Sequence, residues 1–527
     1  MDHIIKPLRS DPGIQRDGTL FDSTAYTDGE WVRFYRGLPR KIGGYRQISA
    51  GNTSAAPSIA RGLYTVPYNT GVQMMTGYND GAWSTQVTQN GLTSAPVPLF
   101  SGDPTGQDWA NPDNLWQFQL VSSIAANGTG RQQSIVAFPG HNLSNINSDD
   151  ESLIYYMPVG GNALEPLPAG LTCSGGILST APYFMFFGND GVVGWFLSTE
   201  IGDMAPASLE YASIGTGTKL VKGTLTRGGN NTPSGLLWSI DALMRYNFVG
   251  GDLVFRFDVI QDELSLLSSS CVVQYGQLYY WIGNDEFYVY NGVVQPVPNF
   301  TNRDFFFNNL NFDQQQKVWG IAIPRWKEIW WFFPMGDSLE CNHAIIFNVE
   351  MGIWYDTPIS RSCGYRVQRF RYPIMADTQM NNGNYPIWMH EFGTDKLIDG
   401  NAYAIPARIE SNIMMIADTA PTMDAQIRTR RIEPDLVQSG QMSLTVRQRG
   451  FANSIPQDSP PYYFDNTTEA IDVALMGRQV SFVFESNEAG GNFQVGKTLL
   501  NYTRGDSRPS YTVFVDKSVD NLPKQGE

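Results

Sequence analysis

Only four histidines and four cysteines occur in 527 residues, and neither set is spaced for chemistry. His3, His141, His343 and His390 form no HExxH and no H-x3-H pair, the spacings that bring two imidazoles to one metal. Cys341-Asn342-His343 places two soft ligands side by side, but no second pair stands at a workable spacing. A strand-end thiol beside a loop imidazole is the simpler reading. No G-x-S-x-G elbow and no P-loop occur, so neither hydrolase-type acyl transfer nor nucleotide hydrolysis has a foothold. Carboxylates are the remaining reactive groups. Asp149-Asp150-Glu151, and the set Asp103, Asp108 and Asp113, would suit a calcium loop or the acid–base pair of a glycoside hydrolase. Neither has the spaced ligands and central glycine of a calcium-binding helix–loop–helix, and both read as solvated loops. The sialidase-type Ser-x-Asp-x-Gly-x-Thr-Trp repeat is missing too.

Aromatic and basic side chains remain. Trp83, Trp281 and Trp330-Trp331 would stack on sugar rings if exposed, yet tandem aromatics within strand-like runs belong to a core. Arg428, Arg430 and Arg431, with Arg447 and Arg449, would reach DNA phosphates. Strand alternation puts Arg428 and Arg430 on one face, and Arg447 and Arg449 on another, where they are expected to pair with carboxylates at a subunit interface. The residues therefore point to no catalysis, no metal and no cofactor. The expectation is a protein whose product is a shape.

The elements that position these side chains are short strands. Charged residues are only 17% of the chain, aromatics 13%, and 52 glycines and 31 prolines punctuate it. From about residue 60 a loose unit recurs: an aromatic strand, a turn of Asn, Asp, Glu or Gly, and a second aromatic strand. Met74–Tyr78 leads through Asn79-Asp80-Gly81 to Trp83. Tyr183–Phe187 leads through Gly188-Asn189-Asp190-Gly191 to Val192–Leu197, and Tyr279–Ile282 through Asn284-Asp285 to Phe287–Tyr290. Trp330–Phe333, Ala344–Phe347 and Trp388–Phe392 continue the series. Such turns suit tight hairpins, and spacings of roughly 45–65 residues suit four-stranded blades. The fold class expected is all-β: a β-propeller-like array over 51–424, with a β-sandwich or β-barrel over 425–512. Residues 1–50 read as an extended N-terminal arm and 513–527 as a frayed tail. Helix is expected only at Asn309 to Gly320 and Arg408 to Asp418.

Net charge is −15, which argues against general nucleic-acid binding. Residues 1–60 carry eight basic and six acidic side chains, 425–510 nine of each, and 511–527 two and three, so the excess of 16 acidic charges lies in 61–424. No segment approaches membrane-spanning length and the N-terminus lacks a signal-peptide pattern, so synthesis in a cytoplasm is expected. Cys173, Cys271, Cys341 and Cys363 then read as free thiols, and the Asn-x-Ser/Thr triplets at Asn127 and Asn142 as chance matches.

Two stretches resemble a known family. Trp31-Val32-Arg33-Phe34-Tyr35-Arg36-Gly37-Leu38-Pro39-Arg40-Lys41-Ile42-Gly43-Gly44-Tyr45, running on to Ala60-Arg61-Gly62-Leu63-Tyr64, resembles the N-terminal part of tail proteins of short-tailed bacteriophages. Phe484-Glu485-Ser486-Asn487, Gly490-Gly491 and Val495-Gly496-Lys497-Thr498-Leu499-Leu500 resemble their C-terminal region. The family is the tail nozzle or tail hub, also called the packaged-DNA stabilisation protein. The resemblance covers about a tenth of the chain and its motifs carry no catalysis. It implies a virion tail protein forming a homo-hexameric ring below the portal and adaptor. That ring would extend the channel for double-stranded DNA, without binding it specifically, and would carry fibres or spikes. The alternatives are a carbohydrate-active propeller, such as a polysaccharide depolymerase, and a receptor-binding fibre or spike subunit. An assembly interface is expected on the arm, with Trp31 and Phe34 as buried anchors and Arg36, Arg40 and Lys41 steering it to an acidic partner surface.

Overall fold

The computed structural model describes residues 4–8, 10–19, 24–48, 58–69, 71–79, 81–92, 94, 96–100, 115–124, 130–140, 151–188, 190–215, 218–226, 233–251, 253–367, 369–381, 383–415, 426–451 and 453–504. Among the described residues seven sheets, each built on a four-strand antiparallel meander, follow one another from Gly62 to His390, the seventh taking its fourth strand from Tyr45–Gln47. Their first strands are Gly62–Tyr68, Gln117–Ile124, Gly176–Thr180, Leu220–Leu225, Val273–Tyr275, Trp319–Ile323 and Cys363–Tyr365. The steps between them run from 44 residues (Gly176 to Leu220) to 59 (Gln117 to Gly176). Apart from the fourth and fifth, neighbouring first strands pack together, and Cys363–Tyr365 returns to Gly62–Tyr68, which closes the ring. The fourth and fifth sheets join through a core containing Val221, Trp238 and Trp281. The chain is a seven-bladed β-propeller carrying a second β module.

The aromatic runs follow from this architecture. A blade is covered on both faces by its neighbours, so its middle strands are apolar throughout rather than alternating. In Tyr183–Phe187, Phe184 and Phe186 enter a core shared with Val121, Val136 and Phe138 of the second blade. Met185 and Phe187 face the other way, toward Leu237, Met244 and Tyr246 of the fourth. Trp330 and Phe332 likewise part company with Trp331 and Phe333. Asn79 and Asn284 lie in the hairpins between the second and third strands of the first and fifth blades, as expected from the repeat. Asn189 falls outside the described residues, but the strands flanking it hold the same positions in the third blade.

The N-terminal segment departs from the expectation of a free-standing arm. Tyr45–Gln47 is the fourth strand of the seventh blade, antiparallel to Ile387–His390 with Met389 opposite Arg46. The two ends of the propeller sequence are thus sewn together by backbone hydrogen bonds. Upstream residues enter the second module. Ile4–Pro7 pairs with Leu499–Arg504. Asp28–Glu30 pairs with Ala407–Glu410. Val32–Tyr35 and Leu38–Lys41 form a hairpin that pairs with Asn492–Val495. That hairpin turns on Arg36 and Gly37, at φ 54° and 77°, the left-handed pair of a two-residue turn. A strand of Pro-, Gly- and Arg-rich composition has too few apolar residues to hold itself together, so its order comes from the sheets it joins.

The sandwich expected at 425–512 therefore also recruits residues 4–41 and 407–415. Met442–Arg449 and Ile471–Gly477 alternate buried and open positions, as half-buried strands do. Gln479–Ser486 is instead buried at every position except Glu485, because it lies between Ala407–Glu410 and Met442–Arg449 at the centre of its sheet. Among the described residues helix is limited to Arg303–Asn309 and 3₁₀ turns at Ser198–Glu200 and Phe312–Lys317, the main helix starting earlier than the expected Asn309. Both Asp17 carboxylate oxygens accept backbone N–H bonds from Asp304 and Phe305 there, at 2.8 and 2.7 Å. The second expected helix is not formed: Ala407–Glu410 and Met414–Met415 are strands. Residues 505–527, including the expected C-terminal tail, lie outside the described set.

Candidate functional site

The five residues expected at an assembly interface part into two groups. Trp31, Phe34 and Lys41 are buried within the chain itself. Phe34 meets Tyr26 and Tyr355 edge to face or tilted, and Trp31 packs on Tyr45. The Lys41 ammonium donates to the Gly491 carbonyl at 2.8 Å, and burial lowers its pKa to about 8 against the opposing pull of Asp395. Trp31 and Phe34 as anchors for another molecule, and Lys41 as a charge steering it, are a correction, because the chain's own core already covers them. Arg36 is exposed, and Arg40, half-buried, lines a hollow where propeller and sandwich meet.

This hollow has a volume of about 190 Å³ and is lined by Arg40, Lys41, Arg325, Trp326, Arg371 and Glu391, among others. Three elements deliver them. The hairpin Val32–Lys41 brings Arg40, the first turn of the sixth blade brings Arg325 and Trp326, and the seventh blade brings Arg371 and Glu391. Trp326 is the platform: the guanidiniums of Arg33, Arg325 and Arg40 stand over its ring at 4.5, 5.0 and 5.3 Å. Such contacts hold cations in place without neutralising them. Arg371 is placed in the same way on Tyr372.

Beneath the hollow, Arg33 binds two carboxylates. It meets Glu391 at 2.6 and 2.8 Å and Glu328 at 3.0 and 3.1 Å. Trp326 donates to Glu391 as well, at 2.7 Å, so both Glu391 oxygens are committed. Glu328 also accepts from Trp330 and Tyr355, and burial still raises its pKa despite Arg33. Among the described residues no ion pair neutralises Arg40, Arg325 or Arg371. Burial and the nearby guanidiniums of Arg33 and Arg325 hold Arg40 below the usual arginine range.

Other charged groups are paired internally. A larger cleft of about 370 Å³ is lined by Trp31, Tyr45, Arg361, Asp377 and Lys396, among others, but its Arg361 already binds Asp377 and donates to His390. Arg447 pairs with Asp458 and Glu410 of its own chain, not across an interface, and Arg431 with Asp472; Arg428 and Arg430 stay exposed. Trp281, Trp330 and Trp331 are buried, so none is a sugar platform. Cys341 and His343 diverge: the thiol faces the Lys317 carbonyl at 3.2 Å and the imidazole meets Asp356 at 2.8 Å. Among the described residues no cluster of His, Cys, Asp or Glu is arranged to hold a metal. Asp103, Asp108, Asp113, Asp149, Asp150, His3, His141, Asn127 and Asn142 lie outside that set. Glu151 is exposed and bonded to Thr172. Arg325, Trp326 and Arg371 were missed by motif reading because they come from separate blades; only their Arg-aromatic dipeptides, Arg325-Trp326 and Arg371-Tyr372, signalled them.

No protein-family model matches the sequence, and no curated protein matches it significantly. Among solved structures, BamB from Moraxella catarrhalis is similar at 11% identity, covering 73% of this chain and 98% of its own, with a TM-score of 0.34. An exo-beta-1,3-galactanase from Phanerochaete chrysosporium is similar at 9% identity, covering 88% and 100%, with a TM-score of 0.29. At such scores neither likeness bears on function.

Proposed function

We propose that the chain is a structural subunit of a short-tailed phage virion, of the tail nozzle or hub class. In this reading, copies form a ring, six-fold by the family pattern, that extends the DNA channel beneath portal and adaptor and carries fibres or spikes. The observation that carries it is the meeting of the two stretches in which the resemblance resides. Lys41 and Gly491 are 450 positions apart in sequence, yet they bond directly, and Arg40 stands opposite Gln494 in one sheet. Parts of the two resembling stretches, around Arg40-Lys41 and Gly491–Val495, thus meet at the seam between propeller and sandwich.

Two further features support a building block. A ring made by head-to-tail contacts needs two different faces on each subunit. The protein exposes large apolar side chains on both modules. Val249, Leu253 and Val259 lie on one hairpin of the fourth blade, and Phe451 and Ile455 on one turn of the sandwich. The acidic middle segment would line a conduit from which DNA is repelled rather than held. Negative-stain images of the purified protein, alone and with tail partners, test the reading. Rings with a central hole are expected. Rod-like trimers would favour a fibre or spike subunit, and cleavage of a surface polysaccharide by the purified chain would favour the enzyme.

A further inference from the structure

The charge around Trp326 is out of balance. Five cations, Arg33, Arg40, Lys41, Arg325 and Arg371, face three carboxylates, Glu328, Glu391 and Asp395, which leaves two positive charges in excess. On a chain of net charge −15, a hollow in which Arg40, Arg325 and Arg371 have no ion-pair partner among the described residues is a specific arrangement. Glu391, the one carboxylate lining the hollow, has both oxygens engaged by Arg33 and Trp326 and cannot turn to the other arginines. Arg40, Arg325 and Arg371 converge from three separate elements, with aromatic rings rather than acids beside them.

We propose that this hollow is a binding site for a single phosphate group. Guanidinium forks match the oxygen spacing of phosphate, and an arginine set on an aromatic face is already oriented, so less freedom is lost on binding. A phosphate dianion cancels the two surplus charges, whereas one carboxylate leaves half of them. The hollow, about 190 Å³ and open to solvent, has room for a phosphate group between the three arginines. The chemistry recognised is the phosphate itself, free or carried by a larger molecule. This site does not depend on the proposed tail role.

The test is calorimetric titration of the full-length protein with sodium phosphate at ionic strength held constant with chloride, and the same titration on an Arg325→Gln/Arg371→Gln variant. Both arginines are exposed, so the variant is expected to fold, and near-UV circular dichroism checks that it does. Saturable phosphate binding, weakened at least tenfold in the variant, is the expected result. Parallel titrations with acetate and with a short DNA duplex separate the sources. Acetate binding as tight as phosphate overturns the assignment, as does duplex binding that needs these arginines while inorganic phosphate gives no saturable heat. Equal phosphate affinity in wild type and variant overturns it as well.

Discussion

Arg33 and Glu328 form an ion pair with both side chains inside the protein, at 1% and 0% exposure, although one belongs to the N-terminal hairpin and the other to the sixth blade. With Glu391 as third member, the pair fastens the hairpin to two blades at once. Buried charges are worth little net when fully partnered and cost heavily when one partner goes. Arg33→Met leaves two carboxylates facing each other in a dry site. It is expected to lower stability by about 3–5 kcal/mol, read as a shift in the urea midpoint. Adding Glu328→Gln should recover part of the loss, and strict additivity of the two changes would mean that the residues do not interact.

The four thiols are all buried and unpaired. Burial pushes Cys271 up to about 11 and Cys363 up to about 12, and raises Cys173 and Cys341 well above the ordinary thiol range as well. A thiol reacts as its thiolate. The native protein is therefore expected to consume less than one equivalent of a thiol-specific dye at pH 8, and four in denaturant. Rapid native labelling of Cys363, the least covered of them, would mean that the seventh blade opens.

The propeller was legible because blades buried on both faces leave unbroken aromatic runs such as Tyr183–Phe187, punctuated by Asn-Gly and Asn-Asp turns. The role of residues 1–50 was not legible. Pro7, Pro12 and Pro39 and a basic cluster resemble a surface segment, yet Val32–Tyr35 alternates no more and no less than a loop would. What orders the hairpin is the pairing of its second strand, Leu38–Lys41, with Asn492–Val495 and the acids Glu328 and Glu391 that Arg33 meets, partners that no local window contains. The hollow around Trp326 was half legible for the same reason. Arg40 stood out in a basic cluster, while Arg325 and Arg371 sat singly in other blades.

His390 gives the protein a sensitivity to mild acid. Its ring is buried, its Nε2 accepts from the Arg361 Nε at 2.8 Å, and it stacks on Tyr45, with Asp377 beyond Arg361. Burial, then the adjacent guanidinium, holds its pKa well below the ordinary value of 6.5. The sign follows from proton counting. Below pH 6.5 the unfolded chain takes up a proton that the native state refuses, so stability is unaffected above that pH and falls as acid is added. The slope contributed by this group is at most about 1.4 kcal/mol per pH unit. His390→Gln keeps an acceptor for Arg361 and removes the titration. Urea midpoints at pH 7.0 and 5.5 should differ less in the variant than in the wild type, and an unchanged difference would place the acid sensitivity elsewhere.

The N-terminal segment is expected to be indispensable for folding. Residues 4–41 supply strands to three sheets of the sandwich, and Tyr45–Gln47 supplies the strand that closes the propeller. Removing residues 1–48 therefore strips edge partners from Leu499–Arg504, Ala407–Glu410, Asn492–Val495 and Ile387–His390 together, and it strands Glu328 and Glu391 without Arg33. Exposed edges of this kind invite aggregation. The truncated chain should be insoluble, or should lose its cooperative thermal transition and near-UV circular dichroism. A peptide of residues 1–48 supplied in trans should restore both in part, because the paired strands, not the covalent link, provide the order. A truncated protein that melts cooperatively at the wild-type temperature would show that the segment only decorates a core complete without it.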